Sequence, residues 1–164
     1  MNNFKIFLII FSTLAFSRFL PHPPNFTSLI ALSFYTPFFF GIRTIPIVLI
    51  SFAITDYFIG YHNVLIFTWG SVILIGLLSN YFFSSIKKRI LGAVIGACVF
   101  YIVTNFGVWT FGTYGYSFGG LMNCYMLAIP FFGYTLLSTL FFSTIIEIVY
   151  KIYIIYLKKL KLIN

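Results

Sequence analysis

Long apolar stretches make up most of this chain, and its polar residues gather in short breaks between them. A helix crossing the hydrocarbon core of a bilayer needs about 20 mostly apolar residues. Six stretches come near that length: residues 4–20, 26–41, 44–60, 64–83, 90–111 and 131–150. The first ends at Pro21-His22-Pro23-Pro24-Asn25, because three prolines in four residues cannot continue a helix. Arg43 marks the second break, with Pro37 predicting a kink before it and Pro46 tolerated in the first turn after it. Gly60-Tyr61-His62-Asn63, the basic run Lys87-Lys88-Arg89 and a Gly/Tyr/Ser-rich connection over 112–120 supply the remaining breaks.

The apolar stretch 121–157 is too long for one crossing, and Pro130 divides it. The pattern therefore predicts a short re-entrant or surface helix over 121–128 before the last span. The tail, 151–164, mixes Ile, Tyr and Leu with four lysines and is expected at the membrane interface. The predicted fold is all-α: one integral membrane domain over 1–164, a bundle of six transmembrane helices. The first stretch also resembles a signal peptide with a passable cleavage site at Ala15-Phe16-Ser17. Phe16 and Arg18 beside that site favour an uncleaved first helix.

Composition removes the soluble classes. The 164 residues are 61% hydrophobic and only 7% charged, against about 25% charged in an ordinary soluble domain. Twelve charged side chains cannot solvate a globule of this size, which excludes a soluble cytosolic enzyme. Six spans leave no room among these residues for a nucleotide-hydrolysing or nucleic-acid-binding module. The formal charge of +8 then reports topology rather than nucleic acid. With the N-terminus inside, nine of the ten basic residues fall on the cytoplasmic side, and only Arg18 falls outside. Both termini are thus expected in the cytoplasm of a multi-pass protein of the bacterial inner or plasma membrane. Cys98 and Cys124 sit at different depths, too far apart to bridge.

The polar residues left over collect at the outer ends of the predicted helices: Arg18, His22, Asn25, Asp56, His62, Asn105, Trp109, Tyr114, Asn123 and Tyr125. A charge or amide within a span costs several kcal/mol unless it is paired or faces a cavity. Arg18 and Asp56 have opposite charge at similar depth. They form either a purely structural ion pair or part of a polar cavity in which the aspartate orients the arginine toward a ligand. The asparagines offer donors and acceptors and the aromatics flat faces with polar edges, a mixture suited to a small polar or planar molecule. Trp109, Tyr114 and Tyr125 also fit the ordinary interfacial aromatic belt. On the inner side, Glu147 is expected to pair with Lys151 one turn later. Gly92 and Gly96 allow close helix approach, either inside the bundle or toward another protein.

Catalytic and metal signatures are weak. His22, His62, Asp56 and Cys124 have ligand chemistry, but no spacing holds them to one metal, and none is predicted. No GxSxG elbow, P-loop or second aspartate for an intramembrane protease is present. The expectation is a protein that is not an enzyme and uses no cofactor.

Four blocks carry a resemblance: Arg18-Phe19-Leu20-Pro21-His22-Pro23-Pro24-Asn25-Phe26-Thr27, Thr55-Asp56-Tyr57-Phe58-Ile59-Gly60-Tyr61-His62, Thr104-Asn105-Phe106-Gly107-Val108-Trp109, and Cys124-Tyr125 through Ala128-Ile129-Pro130-Phe131-Phe132. Over about residues 14–146 they resemble an uncharacterised bacterial family of small integral membrane proteins. That family has an R-x-x-P-H-P-P-N-F-T-P opening, an S-D-x-x-x-G-x-H block and a T-N-F-G-V-W block. Ser28 and Thr55 depart from its pattern without removing a polar group. More distantly, six helices with an outward polar site are similar to the substrate-binding S-components of energy-coupling-factor transporters. That similarity implies a vitamin- or micronutrient-like ligand, a membrane scaffold subunit and cytoplasmic ATPases as partners. Ser12, Ala15 and Phe16 match only part of the small-residue spacing through which such proteins dock their scaffold.

The function expected is therefore capture of a small molecule in a polar and aromatic pocket open to the outer face. Arg18 would pair an anionic group, Asn105 and Asn123 would read polar edges, and Trp109 and Tyr125 would stack. His22, Pro23 and Asn25 would form the lip, with 112–120 as a lid. The alternative is a non-catalytic structural or assembly subunit of a membrane complex, in which the same blocks merely pack.

Overall fold

The computed structural model describes residues 2–82 and 84–160. Phe83, at the end of the predicted fourth span, and 161–164 with the tail's Lys161 lie outside the described residues. Among the described residues the chain forms six α-helices and no strand: α1 (Asn3–Phe19), α2 (Leu29–Phe40), α3 (Ile45–Ile59), α4 (Leu65–Leu78), α5 (Ile86–Thr110) and α6 (Phe118–Lys159). Short 3-10 turns at Ile42–Thr44 and Ser79–Tyr81 lead into α3 and extend α4. Three starts are capped by side chains. Asn2 accepts from the Phe4 amide, Ser85 from Lys88 and Ser117 from Gly120, which satisfies donors the first turn leaves open.

Among the described residues three helical segments are long and apolar enough to cross a membrane: Ile42–Ile59, Ile86–Thr110 and Phe118–Lys159. The segments Leu29–Phe40 and Leu65–Tyr81 are apolar but shorter. At 12 residues, α2 rises only about 18 Å, against a hydrocarbon core of about 30 Å. A helix apolar on every side belongs inside other protein, and α2 is buried continuously from Leu29 to Pro37. It is the hub of the molecule. One face joins Ile6, Ile10 and Leu14 of α1 with Val48 and Phe52 of α3 and Val72 of α4 through Leu29 and Leu32. The other face packs Ile30, Ala31, Phe34 and Tyr35 against Ile75 of α4 and Ala93 and Ala97 of α5.

The predicted break at Pro130 does not occur. No separate re-entrant helix precedes the last span, because α6 runs unbroken for 42 residues, with Pro130 inside it and the expected interfacial tail as its continuation to Lys159. A proline removes one backbone donor. In an apolar medium the other backbone groups still find partners only within the helix, and α6 continues through the defect. The two contacts Tyr101–Tyr125 and Arg89–Glu147 lie about 18 Å apart along α5 and about 33 Å apart along α6. The reach of the Arg89, Glu147 and Tyr101 side chains takes up much of that difference, and Pro130 lies in the stretch of α6 between the two contacts.

The small-residue pair of α5 packs internally. A methyl group on Gly92 would meet the Phe34 and Phe82 rings at 2.7 Å, and one on Gly96 would meet Ile75 at 3.0 Å. Buried hydroxyls are accommodated because they turn back on the carbonyl one turn earlier, as Ser33, Ser51, Ser71, Thr104 and Thr139 do at 2.7–2.8 Å. Cys98 and Cys124 are both free.

Candidate functional site

Contacts between helix ends sort the polar residues into two groups. At one end, Ser17 and Ser28 hydroxyls meet at 2.8 Å, joining the close of α1 to the start of α2. Arg18 follows, in the last turn of α1, where a cation complements the helix dipole. Its Nη1 lies 2.7 Å from Asp56 Oδ1 and donates to Thr55 Oγ1 at 2.5 Å. The guanidinium carbon stands 4.6 Å over the Phe52 ring.

Asp56 is 1% exposed. Its Oδ2 accepts from the Trp69 indole at 2.9 Å, while the Oδ1 contact with Arg18 is a close ion pair without hydrogen-bond alignment. One carboxylate thus binds α1, α3 and α4 together. The expected pairing of Arg18 with Asp56 is present. Trp69 is a partner that sequence reasoning missed. The signal was available, because an indole N–H in an apolar helix needs an acceptor and Asp56 is the acid at that end.

Beside this pair lies a cleft made of two adjoining cavities. One, of about 280 Å³, is lined by Arg18, His22, Asn25, Phe52 and His62 among others. The other, of about 300 Å³, is lined by Asn25, His62, Tyr101, Thr104 and Asn105. Asn25, His62, Thr68, Phe100 and Thr135 belong to both. Asn25 holds its place in the proline-rich loop with a left-handed backbone, φ 63°, which asparagine tolerates better than most residues. His22 places Nδ1 2.7 Å from the Pro23 carbonyl and Nε2 3.3 Å from that of Arg18. Carbonyls only accept, so a neutral ring can serve one of them at a time. Asn105 donates its amide to the Tyr101 carbonyl at 2.7 Å.

Of the ten residues expected to form a pocket, five line this cleft: Arg18, His22, Asn25, His62 and Asn105. Asp56 stands behind Arg18. The other four are not among the residues that line it. Tyr125 turns its hydroxyl to the Ile102 carbonyl at 2.7 Å and receives the Tyr101 hydroxyl on its own carbonyl at 2.6 Å, stapling α6 to α5. Trp109 packs against Phe106 and Tyr116, and its buried indole N–H has no partner among the described residues. Tyr114 and Asn123 are exposed. The cleft's threonines and Phe100 carried no sequence signal, since in a helix they read as packing residues.

At the opposite end the expected Glu147–Lys151 pair is replaced by another. Arg89 Nε and Nη2 reach Glu147 Oε1 and Oε2, each at 2.6 Å, and the Tyr35 hydroxyl donates to Oε1 at 3.0 Å. Lys151 is exposed. The cause lies in the cap. Ser85 starts α5 four residues earlier than expected, placing Arg89 inside the helix and against α6 rather than in a basic loop. Among the described residues no group of three or more His, Cys, Asp and Glu side chains is placed to hold a metal.

An all-helical chain with several apolar helices of membrane-crossing length, and two ion pairs sunk between them, defines a helical integral membrane protein. It belongs to a family of unknown function (DUF6580), whose model matches residues 1–160. No curated protein and no solved structure matches the chain.

Proposed function

We propose that this protein is the small-molecule-binding subunit of a membrane system, taking a vitamin- or micronutrient-like ligand from the outer face without transforming it. One observation carries the reading: residues from the α1–α2 loop, the α3–α4 loop, α1 and α5 converge on one cleft beside a buried, ion-paired carboxylate. A buried ion pair is a poor source of net stability, and among the described residues Arg18 spends only Nη1 on its polar partners. Its remaining donors are free to meet an anionic group, with Asn25, His62 and Asn105 reading polar edges. The reading includes six crossings with both termini inside, the short α2 and α4 being completed by their flanking turns. It also includes a likeness to energy-coupling-factor S-components, hence a scaffold subunit and cytoplasmic ATPases as partners.

Native mass spectrometry of the gently purified protein tests it. A co-purified water-soluble metabolite, lost on Asn105→Ala, is the expected result. A spectrum holding only lipid or a protein partner overturns it. The second reading, an assembly subunit, draws on the exposure of Tyr114 and Asn123 at the same end, outside the cleft.

A further inference from the structure

A third cavity, of about 510 Å³, is an open groove between α1, α2 and α6. It runs from mid-helix, at Thr13 and Leu32, to the end of the bundle that holds Arg89 and Glu147, where Phe40 and Tyr153 flank it. Among the described residues no charged one lines it, and its walls are aliphatic and aromatic except for scattered hydroxyls. Such a surface meets hydrocarbon without cost, and its volume between three helices leaves room for part of an acyl chain.

The charge at the groove's end is one-sided. Lys5, Arg43, Lys87, Lys88, Lys151, Lys158 and Lys159 all belong to this end and are all exposed. The acid there, Glu147, is consumed by Arg89 and Tyr35. Lys151 directly follows Tyr150 of the groove wall, and Arg43 lies three residues beyond Phe40. Tyr150 and Tyr153, which line the groove toward that end, are of the residue type that anchors at headgroup level. Basic sites beside apolar clefts between membrane helices suit anionic headgroups.

We infer that the groove is a binding site for an anionic phospholipid, with one acyl chain between α1, α2 and α6 and its phosphate among the cations of that end. Neither the ligand cleft at the other end nor its occupant enters this argument. A zwitterionic lipid would fill the groove equally well but gain little from the exposed cations of that end, none of which has an acidic partner among the described residues. A protein helix would have to present an acidic segment beside its apolar face.

The test is native mass spectrometry of the full chain in detergent with equal amounts of dioleoyl phosphatidylglycerol and dioleoyl phosphatidylcholine. Phosphatidylglycerol adducts should exceed phosphatidylcholine adducts at least fivefold. Val149→Trp and, separately, Ile9→Trp should each cut phosphatidylglycerol retention at least fivefold by filling the groove. Both positions are more than half exposed, so the variants keep the core intact, and elution as the same monodisperse species checks it. Lys151→Ala with Arg43→Ala should bring the two lipids toward parity. Equal retention of both lipids by the unaltered chain, retention unchanged in both tryptophan variants, or a dimer in place of lipid adducts overturns the inference.

Discussion

Arg89 grips both carboxylate oxygens of Glu147, across 58 residues of sequence, with two parallel bonds of 2.6 Å. Such fork-to-fork geometry is the strongest form of side-chain ion pair. Its partners are nearly sealed, with side chains 10% and 5% exposed. Breaking a buried pair by removing one member costs about 3–5 kcal/mol, because the survivor stays charged and dry. Glu147→Leu and Arg89→Met should each lower the melting temperature in detergent sharply. The double variant should recover most of the loss. Equal damage in all three would mean that packing, not charge, ties α5 to α6.

Arg18→Ala and Asp56→Asn should each abolish retention of the cleft's co-purified metabolite while the protein still inserts into membranes at normal yield. Trp69→Phe is the finer probe. It removes one hydrogen bond to a buried carboxylate, worth about 1.5–3 kcal/mol, and leaves Arg18 in place. Retention should weaken without vanishing. Normal retention in either charge variant would make the pair a brace and nothing more.

Gly107 faces Phe67 so closely that an added methyl group would lie 2.5 Å from two ring atoms and 2.9 Å from the Phe67 Cβ. The ring cannot swing clear, since its own root is in the way. Gly107→Ala should destabilise by about 1–3 kcal/mol, the usual cost of overpacking. Phe67→Leu in the same chain should relieve it. Thermal unfolding of the single and double variants decides this.

The proposed orientation is tested by labelling. In a background of Cys98→Ala and Cys124→Ala, an impermeant maleimide should modify Thr113→Cys in intact cells. Ser84→Cys should react only after permeabilisation. The reverse pattern would turn the molecule over.

The helices and their breaks were largely legible because apolar runs and proline, glycine and lysine clusters carry a strong signal at this composition. Arg18 with Asp56 was legible for a simple reason: two opposite charges at one depth in an apolar medium have few other places to go. Arg89 was hidden inside Lys87-Lys88-Arg89, where neighbours of like charge disguise the one side chain that turns inward. Only the cap at Ser85 distinguishes it, by shifting the helix start. Glu147 was misassigned because Lys151 is near in sequence, whereas a bidentate guanidinium from another helix wins in space. The cleft was half visible. Its charged and amide members stood out against apolar surroundings, but the walls are threonines, phenylalanines and aliphatic residues whose role depends on which helices meet. Pro130 misled for the opposite reason, a strong local signal overruled by the continuous hydrogen bonding of the helix around it.

α6 has one further consequence. From Pro130 to Lys159 it forms a rod about 44 Å long, mostly free of neighbours along its outer edge. Such a rod is a lever, with its fulcrum at the one residue that cannot donate a backbone hydrogen bond. A swing of about 5° there would carry the lysine-bearing tip nearly 4 Å, on the rise that fixes its length. The Arg89–Glu147 clasp fastens the arm to α5 partway along, so such a swing would have to carry that contact with it or break it. On the proposed reading, a ligand arriving near Ala128, Phe131 and Phe132, which line the cleft beside the fulcrum, would be felt at the opposite end of the bundle as a displacement of charge.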